Sequence, residues 1–317
     1  MQPPTFEDVL AACPRVYAHL SPSPLRTYPL LDGWIGCRAW VKHENHNPTG
    51  AFKVRGGINL VSQFSAEERR RGVITASTGN HGQSIAYAAR LFGVPCTVVV
   101  PAGNNPEKNA SIRAMGATVV EHGRDFDEAR EFVEDRVTHE GVRYVHPTDE
   151  PALIAGVATY ALEIVEELPQ PDYVFVAIGG GTGSSGCAIV RAARSQGTKI
   201  IGVQAARADA FARSWRSHAR VTTETANTLA EGIATRVTFD LPFSILEAGL
   251  DDVVTVEEEE LEESIRIGLA LTHNLVEGAG AASLAGARKF GCPREARVVC
   301  VMSGGNLDVR TLKRVLG

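Results

Sequence analysis

Residues 173–186 read Tyr-Val-Phe-Val-Ala-Ile-Gly-Gly-Gly-Thr-Gly-Ser-Ser-Gly, a continuous apolar run followed by a turn rich in glycine and hydroxyl groups. A run that is apolar at every position is typical of a parallel strand buried on both faces. Glycines let a ligand approach the backbone closely, and a helix that begins at such a turn offers free N–H groups at its positive end. The stretch therefore predicts a strand, a phosphate-binding turn and a helix, in that order.

The same alternation of strands and helices extends in both directions along the chain. Further strands are predicted at residues 72–76, 96–101, 117–121, 143–146, 199–205, 251–256 and 297–302. Helices are predicted at residues 83–92, 105–115, 125–140, 151–168, 187–194 and 261–275. This order predicts parallel sheets covered by helices on both faces, with ligands bound at the carboxyl ends of the strands. Residues 206–250 show no clear pattern.

Two other predicted strands end in turns of the same kind. One turn reads Ser-Thr-Gly-Asn-His-Gly at residues 77–82, and the other reads Ser-Gly-Gly-Asn at residues 303–306. One such turn is a common way to leave a strand, but three in one chain indicate convergence on one ligand. Residues 181–186 also match the dinucleotide fingerprint GxGxxG, so a nicotinamide-dependent dehydrogenase is an alternative. That fingerprint expects an acid at the end of the next strand, where this chain has Gln204.

Lysine is rare in this chain, with six residues in 317, and Lys53 lies in an unusual segment. Residues 47–57 read Asn-Pro-Thr-Gly-Ala-Phe-Lys-Val-Arg-Gly-Gly, which indicates a lysine held in a tight niche and not on a solvated surface. A lysine amine and a separate phosphate-binding turn are the two features that pyridoxal phosphate requires. The amine forms a Schiff base with its aldehyde, and the turn anchors its phosphate.

Composition excludes several other classes of protein. The net charge of −5 leaves no large basic face for nucleic acid, and a hydrophobic content of 44% argues against disorder. No apolar run approaches the roughly 20 residues of a membrane span. None of the six cysteines forms a CxxC motif, and the first 14 residues do not resemble a signal peptide. We therefore expect a cytoplasmic protein with neither a nucleic-acid partner nor a membrane partner.

Taken together and in this order, these segments resemble the fold-type II pyridoxal-phosphate enzymes, specifically the threonine/serine dehydratase and serine racemase group. The similarity continues through residues 146–154, 277–280 and 303–308 and so covers nearly the whole chain. It implies the α/β fold of the tryptophan synthase β type, with pyridoxal 5′-phosphate in an interdomain cleft. Residues 72–149 would form a small αβ domain inserted into a larger domain built from residues 1–71 and 150–317, and the protein would be a homodimer.

The resemblance also implies a role for each matching residue. Lys53 would form the Schiff base and remove the Cα proton of the substrate, and Ser303 would face the pyridine nitrogen of the cofactor. Glu277, in Glu-Gly-Ala-Gly, matches a position near the cofactor, although a glutamate beside a helix needs no such role. The other implied contacts are Phe52 beside the cofactor, Asn80 at its 3′-oxygen, the backbone of Gly179, Gly180, Gly181, Thr182 and Gly183 at its phosphate, and Ser77, Thr78, Asn80 and His81 at the substrate carboxylate.

Three departures from the racemase pattern bear on the reaction. Thr78 stands where serine racemases carry the serine that protonates the opposite face of the substrate, and Thr148 stands where they carry an asparagine. The third departure is Thr182, which replaces a fourth glycine of the phosphate-binding turn. Separately, Gln204 and Ala210 stand where the racemases carry the two carboxylates that bind a divalent cation, so we expect no metal site. The resemblance therefore implies a dehydratase of β-hydroxy amino acids, most of all L-threonine and L-serine. The alternatives are a serine racemase and a dehydratase of 3-hydroxyaspartate or phenylserine.

Overall fold

The computed structural model describes residues 1–124 and 126–317, and its ten strands form two sheets. The strands are β1 (Leu25–Thr27), β2 (Arg38–His43), β3 (Val73–Ala76), β4 (Cys96–Val100), β5 (Thr118–Glu121), β6 (Arg143–Tyr144), β7 (Tyr173–Ala177), β8 (Lys199–Ala205), β9 (Asp252–Val256) and β10 (Arg297–Met302). The larger sheet has the order β1-β2-β10-β7-β8-β9, and the smaller has the order β5-β4-β3-β6. Within the described residues β1 and β2 pair antiparallel and the other pairs are parallel.

Helices connect the strands and cover both sheets. They are α1 (Phe6–Tyr17), α2 (Pro29–Ile35), α3 (Lys53–Ser62), α4 (Ala66–Arg71), α5 (Asn80–Leu91), α6 (Pro106–Ala114), α7 (Phe126–Glu140), α8 (Pro151–Val157), α9 (Thr159–Glu167), α10 (Thr182–Arg194), α11 (Ala210–Ser217), α12 (Asp240–Gly249), α13 (Glu258–Thr272), α14 (Gly278–Phe290) and α15 (Val309–Leu316). The α/β fold with parallel-rich sheets that the sequence predicts is thus confirmed.

Strand β7 shows why the apolar run at its position decides the fold. Successive side chains of a strand point to opposite faces of the sheet. Val174 and Val176 accordingly pack into the core on one face, and Phe175 packs into the core on the other. All three are at most 3% exposed, and the strand lies between β10 and β8. A central parallel strand therefore buries both faces, which explains the absence of alternation in its sequence.

The smaller sheet is also covered on both faces. Val98 and Val100 of β4 belong to one core, and Val99 belongs to the other. Val54 and Ile58 of α3 pack into the first of these cores, so residues before position 72 contribute to the interior beside this sheet. The division into domains at residues 71/72 and 149/150 stays a prediction.

The structure differs from the sequence prediction at several elements. Residues 151–168 form two helices, α8 and α9, and the Thr159 hydroxyl at their junction donates a 2.8 Å hydrogen bond to the Gly156 carbonyl. The residues from Thr182 onward are already helical, so the glycine-rich turn runs into α10 earlier than position 187. Helix α7 begins at Phe126, and Asp125, the first residue of the predicted helix, lies outside the described residues.

The described residues also show whether the protein has membrane-spanning helices or disulfides. None of their helices has both the length and the apolar character needed to cross a lipid bilayer. All six cysteines are among them, none is in a disulfide, and four are buried.

Candidate active site

A cavity of about 440 Å3 lies where the carboxyl ends of strands from both sheets meet. Ser77 after β3, Gly179 after β7 and Ser303 after β10 all line it. The structure therefore brings the three glycine-rich turns of the sequence together around one space. The volume is within the range typical of small-molecule sites, which is roughly 300–1,000 Å3.

Lys53 is the first residue of α3 and reaches into this cavity. Its Nζ donates a 2.8 Å hydrogen bond to Thr182 Oγ1 and lies 5.4 Å from the centre of the Phe52 ring. Burial lowers the pKa of the Lys53 ammonium to about 8. The lysine is therefore held in a niche, as its sequence context predicts, and its amine loses its proton more readily than that of an exposed lysine.

The turn before α10 is shaped to admit a ligand against its backbone. Gly181 precedes the helix with a φ of 87°, a conformation that a side chain would strain. A Cβ at Gly180 would overlap the Thr148 methyl group, and a Cβ at Gly179 would overlap the Gly232 carbonyl oxygen. Because the first N–H groups of α10 have no partners within the helix, this turn can hold an anion such as a phosphate.

The turn at residues 77–82 forms a second set of donors. Ser77 Oγ accepts hydrogen bonds from the backbone N–H groups of Gly79 at 3.1 Å and Gly82 at 2.9 Å, which closes the turn at the start of α5. Thr78 lines the cavity, and its carbonyl accepts a hydrogen bond from the Asn104 amide at 3.3 Å. The first N–H groups of α5 are again free of intrahelical partners. The turn can therefore bind a carboxylate through its backbone and through the Ser77 hydroxyl hydrogen.

His81 contributes to this turn through its backbone and not through its ring. The Thr75 hydroxyl donates to the Val145 carbonyl at 2.8 Å, so His81 Nε2, 2.9 Å from the Thr75 oxygen, is the donor in that pair. Burial, with the nearby positive charge of Lys53, lowers the pKa of His81 well below its usual value, so the ring is neutral. Only the backbone N–H group of His81 then remains for a carboxylate. The sequence did not distinguish this backbone role from a role of the ring.

Asn80 lies in a chain of hydrogen bonds that joins separate parts of the site. Its amide nitrogen donates to Glu277 at 2.6 Å, and its oxygen accepts from the Asn306 amide at 2.7 Å. Asn306 also donates to the Thr49 carbonyl at 2.8 Å, near the lysine-bearing segment. Burial raises the pKa of Glu277, although Lys108 and Asn80 act in the opposite direction. These hydrogen bonds fix the Asn80 side chain and leave its second amide hydrogen for a ligand.

Ser303 and Thr148 form other parts of the wall. Ser303 is 7% exposed, and its carbonyl accepts a hydrogen bond from the Phe52 backbone N–H at 3.0 Å. This bond ties the end of β10 to the segment that carries Lys53. Thr148 is buried, and its hydroxyl lies 3.1 Å from His146 Nδ1. Its methyl group faces Gly180, so its contacts here are with the phosphate-binding turn.

Comparison with known proteins identifies the family. A family model described as pyridoxal-phosphate dependent enzyme matches residues 16–304. The chain belongs to the pyridoxal-phosphate-dependent enzymes.

Within this family the relatives are of fold type II. The L-threonine ammonia-lyase of Thermotoga maritima is 36% identical, over 98% of this chain and 78% of its own length. The L-threo-3-hydroxyaspartate ammonia-lyase of Saccharomyces cerevisiae is 34% identical, over 97% of this chain and 94% of its own length. Among solved structures, maize serine racemase superposes with a TM-score of 0.94 at 26% identity, covering 99% of this chain and 97% of that one.

The residues of this pyridoxal-phosphate enzyme fit the cofactor that the family binds. The cavity offers a lysine amine, an anion-binding turn that side chains would fill, and an uncharged hydroxyl residue at the end of β10. Family membership decides against a nicotinamide-dependent dehydrogenase. The individual roles assigned to Phe52, Lys53, Asn80, Ser303 and the glycine-rich turn stay predictions.

Gln204 has a structural role in this enzyme. Its amide nitrogen donates to the Ile178 carbonyl at 3.2 Å, and its oxygen accepts from the Ala212 N–H at 2.8 Å. The buried side chain thereby links the strand end before the phosphate-binding turn to α11. No group of three or more potential metal-binding side chains occurs among the residues that the structure describes.

Several residues of the pyridoxal-phosphate site were not found from the sequence. Lys108 and Glu231 both line the cavity and form an ion pair, and Asn306 bridges Asn80 to Thr49. Asn306 lies in a turn that the sequence singled out, but nothing indicated its partners. The only sequence signal for Lys108 was the rarity of lysine.

Proposed function

We propose that this protein is a pyridoxal-phosphate-dependent ammonia-lyase that dehydrates β-hydroxy amino acids, with L-threonine and L-serine as its main substrates. The products are a 2-oxo acid and ammonia. The observation that carries the proposal is the contact between the Lys53 amine and Thr182 at the start of α10. It places a reactive amine beside an anion-binding helix end, in a cavity that also contains a carboxylate-binding turn.

The cofactor would be held by Lys53 through its aldehyde and by residues 179–183 through its phosphate. When bound, pyridoxal phosphate withdraws electrons from Cα of the substrate and so weakens the Cα–H bond. The Lys53 amine then accepts the Cα proton. The lowered pKa suits it to this role, because a base works best when its pKa is near the working pH.

The substrate would be oriented by the turn at residues 77–82. Its carboxylate would receive hydrogen bonds from the Ser77 hydroxyl and from the backbone N–H groups of Asn80 and His81, because those of Gly79 and Gly82 already donate to Ser77 Oγ. The fixed Asn80 amide keeps a hydrogen for the cofactor 3′-oxygen. This arrangement holds the Cα–H bond of the substrate toward Lys53.

Ser303 favours elimination over reactions that need a long-lived carbanion. A carboxylate at this position would keep the pyridine nitrogen protonated and deepen the electron sink, whereas a neutral hydroxyl does not. Ser303 would therefore leave the ring a weaker electron sink, which would favour prompt loss of the β-hydroxyl.

A racemase is the second candidate, because serine racemases are among the similar proteins. Racemisation requires an acid on the opposite face of the substrate. In this chain the hydroxyl available there belongs to Thr78, a β-branched residue whose rotamers are restricted. We place racemisation second for this reason.

A panel of amino acids tests the proposal. L-Threonine, L-serine, threo-3-hydroxyaspartate and phenylserine are incubated with the loaded enzyme, and 2-oxo acid, ammonia and D-amino acid are measured together. The proposal expects 2-oxo acid and ammonia in equal amounts, with the highest kcat/KM for L-threonine or L-serine. Formation of D-serine without 2-oxo acid would favour the racemase, and preference for 3-hydroxyaspartate or phenylserine would redefine the substrate.

We also propose a cytoplasmic homodimer in which residues 72–149 form an inserted domain. The support is the resemblance to the fold-type II enzymes and the separate four-stranded sheet. Sedimentation equilibrium of the loaded enzyme tests the dimer, and limited proteolysis tests the domain boundaries. A monomeric mass at micromolar concentration would contradict the dimer.

A further inference from the structure

Two cationic side chains line the cavity among the described residues, Lys53 and Lys108, and only one of them has a role so far. The proposed reaction brings two anions into this space, the cofactor phosphate and the substrate carboxylate. The free N–H groups at the start of α10 would hold the phosphate, and Lys53 must be neutral to act as a base. The turn proposed for the carboxylate contains hydroxyl, amide and backbone donors but no cation of its own.

Lys108 lies directly beside that turn. It belongs to α6, and its side chain packs across Gly79, where a Cβ would be 3.4 Å from Lys108 Cδ and 3.8 Å from its Nζ. The side chain is 12% exposed, so its charge is only partly screened by water. Its ammonium is therefore within reach of a carboxylate bound at residues 77–82.

Lys108 is paired with Glu231, which also lines the cavity. Glu231 begins a short 3-10 helix, Glu231–Ile233, whose Gly232 carbonyl packs against Gly179 of the phosphate-binding turn. The Glu231 side chain is 50% exposed, in contrast to its partner. The carboxylate partner of Lys108 is thus a solvated group that loses little when the lysine leaves it.

Two other carboxylates near Lys108 have partners of their own. Glu277 accepts from the Asn80 amide at 2.6 Å. Asp308 caps α15 by accepting from the Thr311 N–H and hydroxyl, both at 2.8 Å. Neither has a hydrogen bond to Lys108 among the described residues, so Glu231 is the group that a substrate would displace.

We propose that Lys108 is the counter-ion of the substrate α-carboxylate and that Glu231 holds Lys108 in place until the substrate arrives. The substrate carboxylate replaces the Glu231 carboxylate at the same ammonium. This inference rests on the proposed function of the site and adds a substrate-binding residue from outside the three glycine-rich turns. No covalent step is involved.

Glycine and glycinamide test the proposal without turnover, because neither has a β-hydroxyl to eliminate. Binding of each to the loaded enzyme is followed by the change in cofactor absorbance, and Lys108→Met is compared with wild type. Charge-assisted hydrogen bonds to a partly buried cation predict that glycine binding weakens about tenfold or more. Glycinamide lacks the carboxylate, so its affinity should change far less. With L-threonine, KM should rise more than kcat falls.

A second variant tests the exchange independently of the first. Glu231→Gln removes the competing carboxylate and should tighten glycine binding, while in a Lys108→Met background the same change should have no effect. Lys289→Met, which breaks the 2.8 Å surface pair of Lys289 with Glu260, is the matched control and should leave both affinities unchanged. Cofactor content and melting temperature verify that each variant is folded and loaded.

Equal weakening of glycine and glycinamide by Lys108→Met would overturn the proposal, as would unchanged glycine binding. A Glu231→Gln variant that binds glycine more weakly would also overturn it. These results differ from a failure of the proposed function, which would appear as no 2-oxo acid from L-threonine with the wild-type enzyme whatever its affinity for glycine.

Discussion

The Lys53 ammonium donates a 2.8 Å hydrogen bond to the hydroxyl of Thr182, the first residue of α10. Thr182 is 2% exposed, so the position of this hydroxyl is fixed by the surrounding protein. The contact joins the start of α3 to the start of α10, two helices whose first residues are far apart in the sequence. It sets the position of the reactive amine relative to the phosphate-binding turn.

The pKa of Lys53 predicts how the protein without cofactor captures it. Burial lowers this pKa from 10.5 to about 8, and the neutral amine is the form that attacks an aldehyde. The second-order rate of cofactor capture should therefore rise with pH and level off above about pH 8. Stopped-flow absorbance between pH 6 and 11 measures it. A midpoint near 10.5 would contradict the assigned environment.

The lowered pKa of Lys53 also predicts how the free energy of unfolding depends on pH. Between pH 8 and 10.5 the unfolded chain holds a proton on Lys53 that the folded protein has released. The contribution of this residue to the free energy of unfolding therefore increases with pH across that window, and the cost of burying its charge is fully present below it. Lys53→Met should remove this part of the pH dependence.

Gly180→Ala should weaken cofactor binding, because the added methyl group would overlap the Thr148 methyl group. Overpacking of this kind costs about 1–3 kcal/mol, which corresponds to an increase in Kd of about 5- to 150-fold. Fluorescence titration of the cofactor-free protein measures the affinity. In the Gly180→Ala/Thr148→Ser double variant, where the Thr148 methyl group is absent, affinity should recover. A single variant that binds as tightly as wild type would show that the close contact does not matter.

Thr78→Ser should raise the share of racemisation with L-serine as substrate. An unbranched serine has more rotamers through which its hydroxyl can reach the far face of the substrate. Pyruvate and D-serine are followed in the same reaction, and the wild-type enzyme should form pyruvate faster. D-Serine that exceeds pyruvate in the wild type would refute the preference for elimination.

Activity and melting temperature should not change on exhaustive chelation of divalent cations. The Gln204 amide makes hydrogen bonds to the Ile178 carbonyl and the Ala212 N–H, and it stands at the position where the resemblance to the racemases implies an anionic ligand. A neutral amide is a poor ligand for magnesium or calcium. Loss of activity that either ion restores would reveal a metal site with other ligands.

Much of the fold was predictable from local patterns in the sequence, above all from continuous apolar runs. The strands β8 and β10 have the predicted bounds, and β7 is one residue shorter than its apolar run. Each is a central strand buried on both faces, for which a continuous apolar run is the expected pattern. The convergence of the three glycine-rich turns followed from the rule that ligands bind at the carboxyl ends of parallel strands.

The remainder depended on contacts between distant residues. The break between α8 and α9 is a local exception, since it coincides with a hydrogen bond from the Thr159 side chain to a carbonyl three residues earlier, to which no sequence pattern pointed. Residues 206–250 contain α11 and α12, and the Leu241 N–H at the start of α12 is bonded to Asp149, far earlier in the chain. Lys108 and Glu231 are 123 positions apart in the sequence, so their pairing became visible only in the folded structure.

The central claim is that Lys53 is the catalytic amine of an ammonia-lyase, and one comparison of two proteins tests it. Wild type and Lys53→Ala, both supplied with pyridoxal phosphate, are incubated with L-threonine while 2-oxobutanoate and ammonia are measured. Wild type should release the two in equal amounts, and Lys53→Ala should be slower by at least about a thousandfold, because it lacks both the base and the group that holds the cofactor. A Lys53→Ala protein that keeps the wild-type rate, or a loaded wild type that releases neither product, would contradict the account.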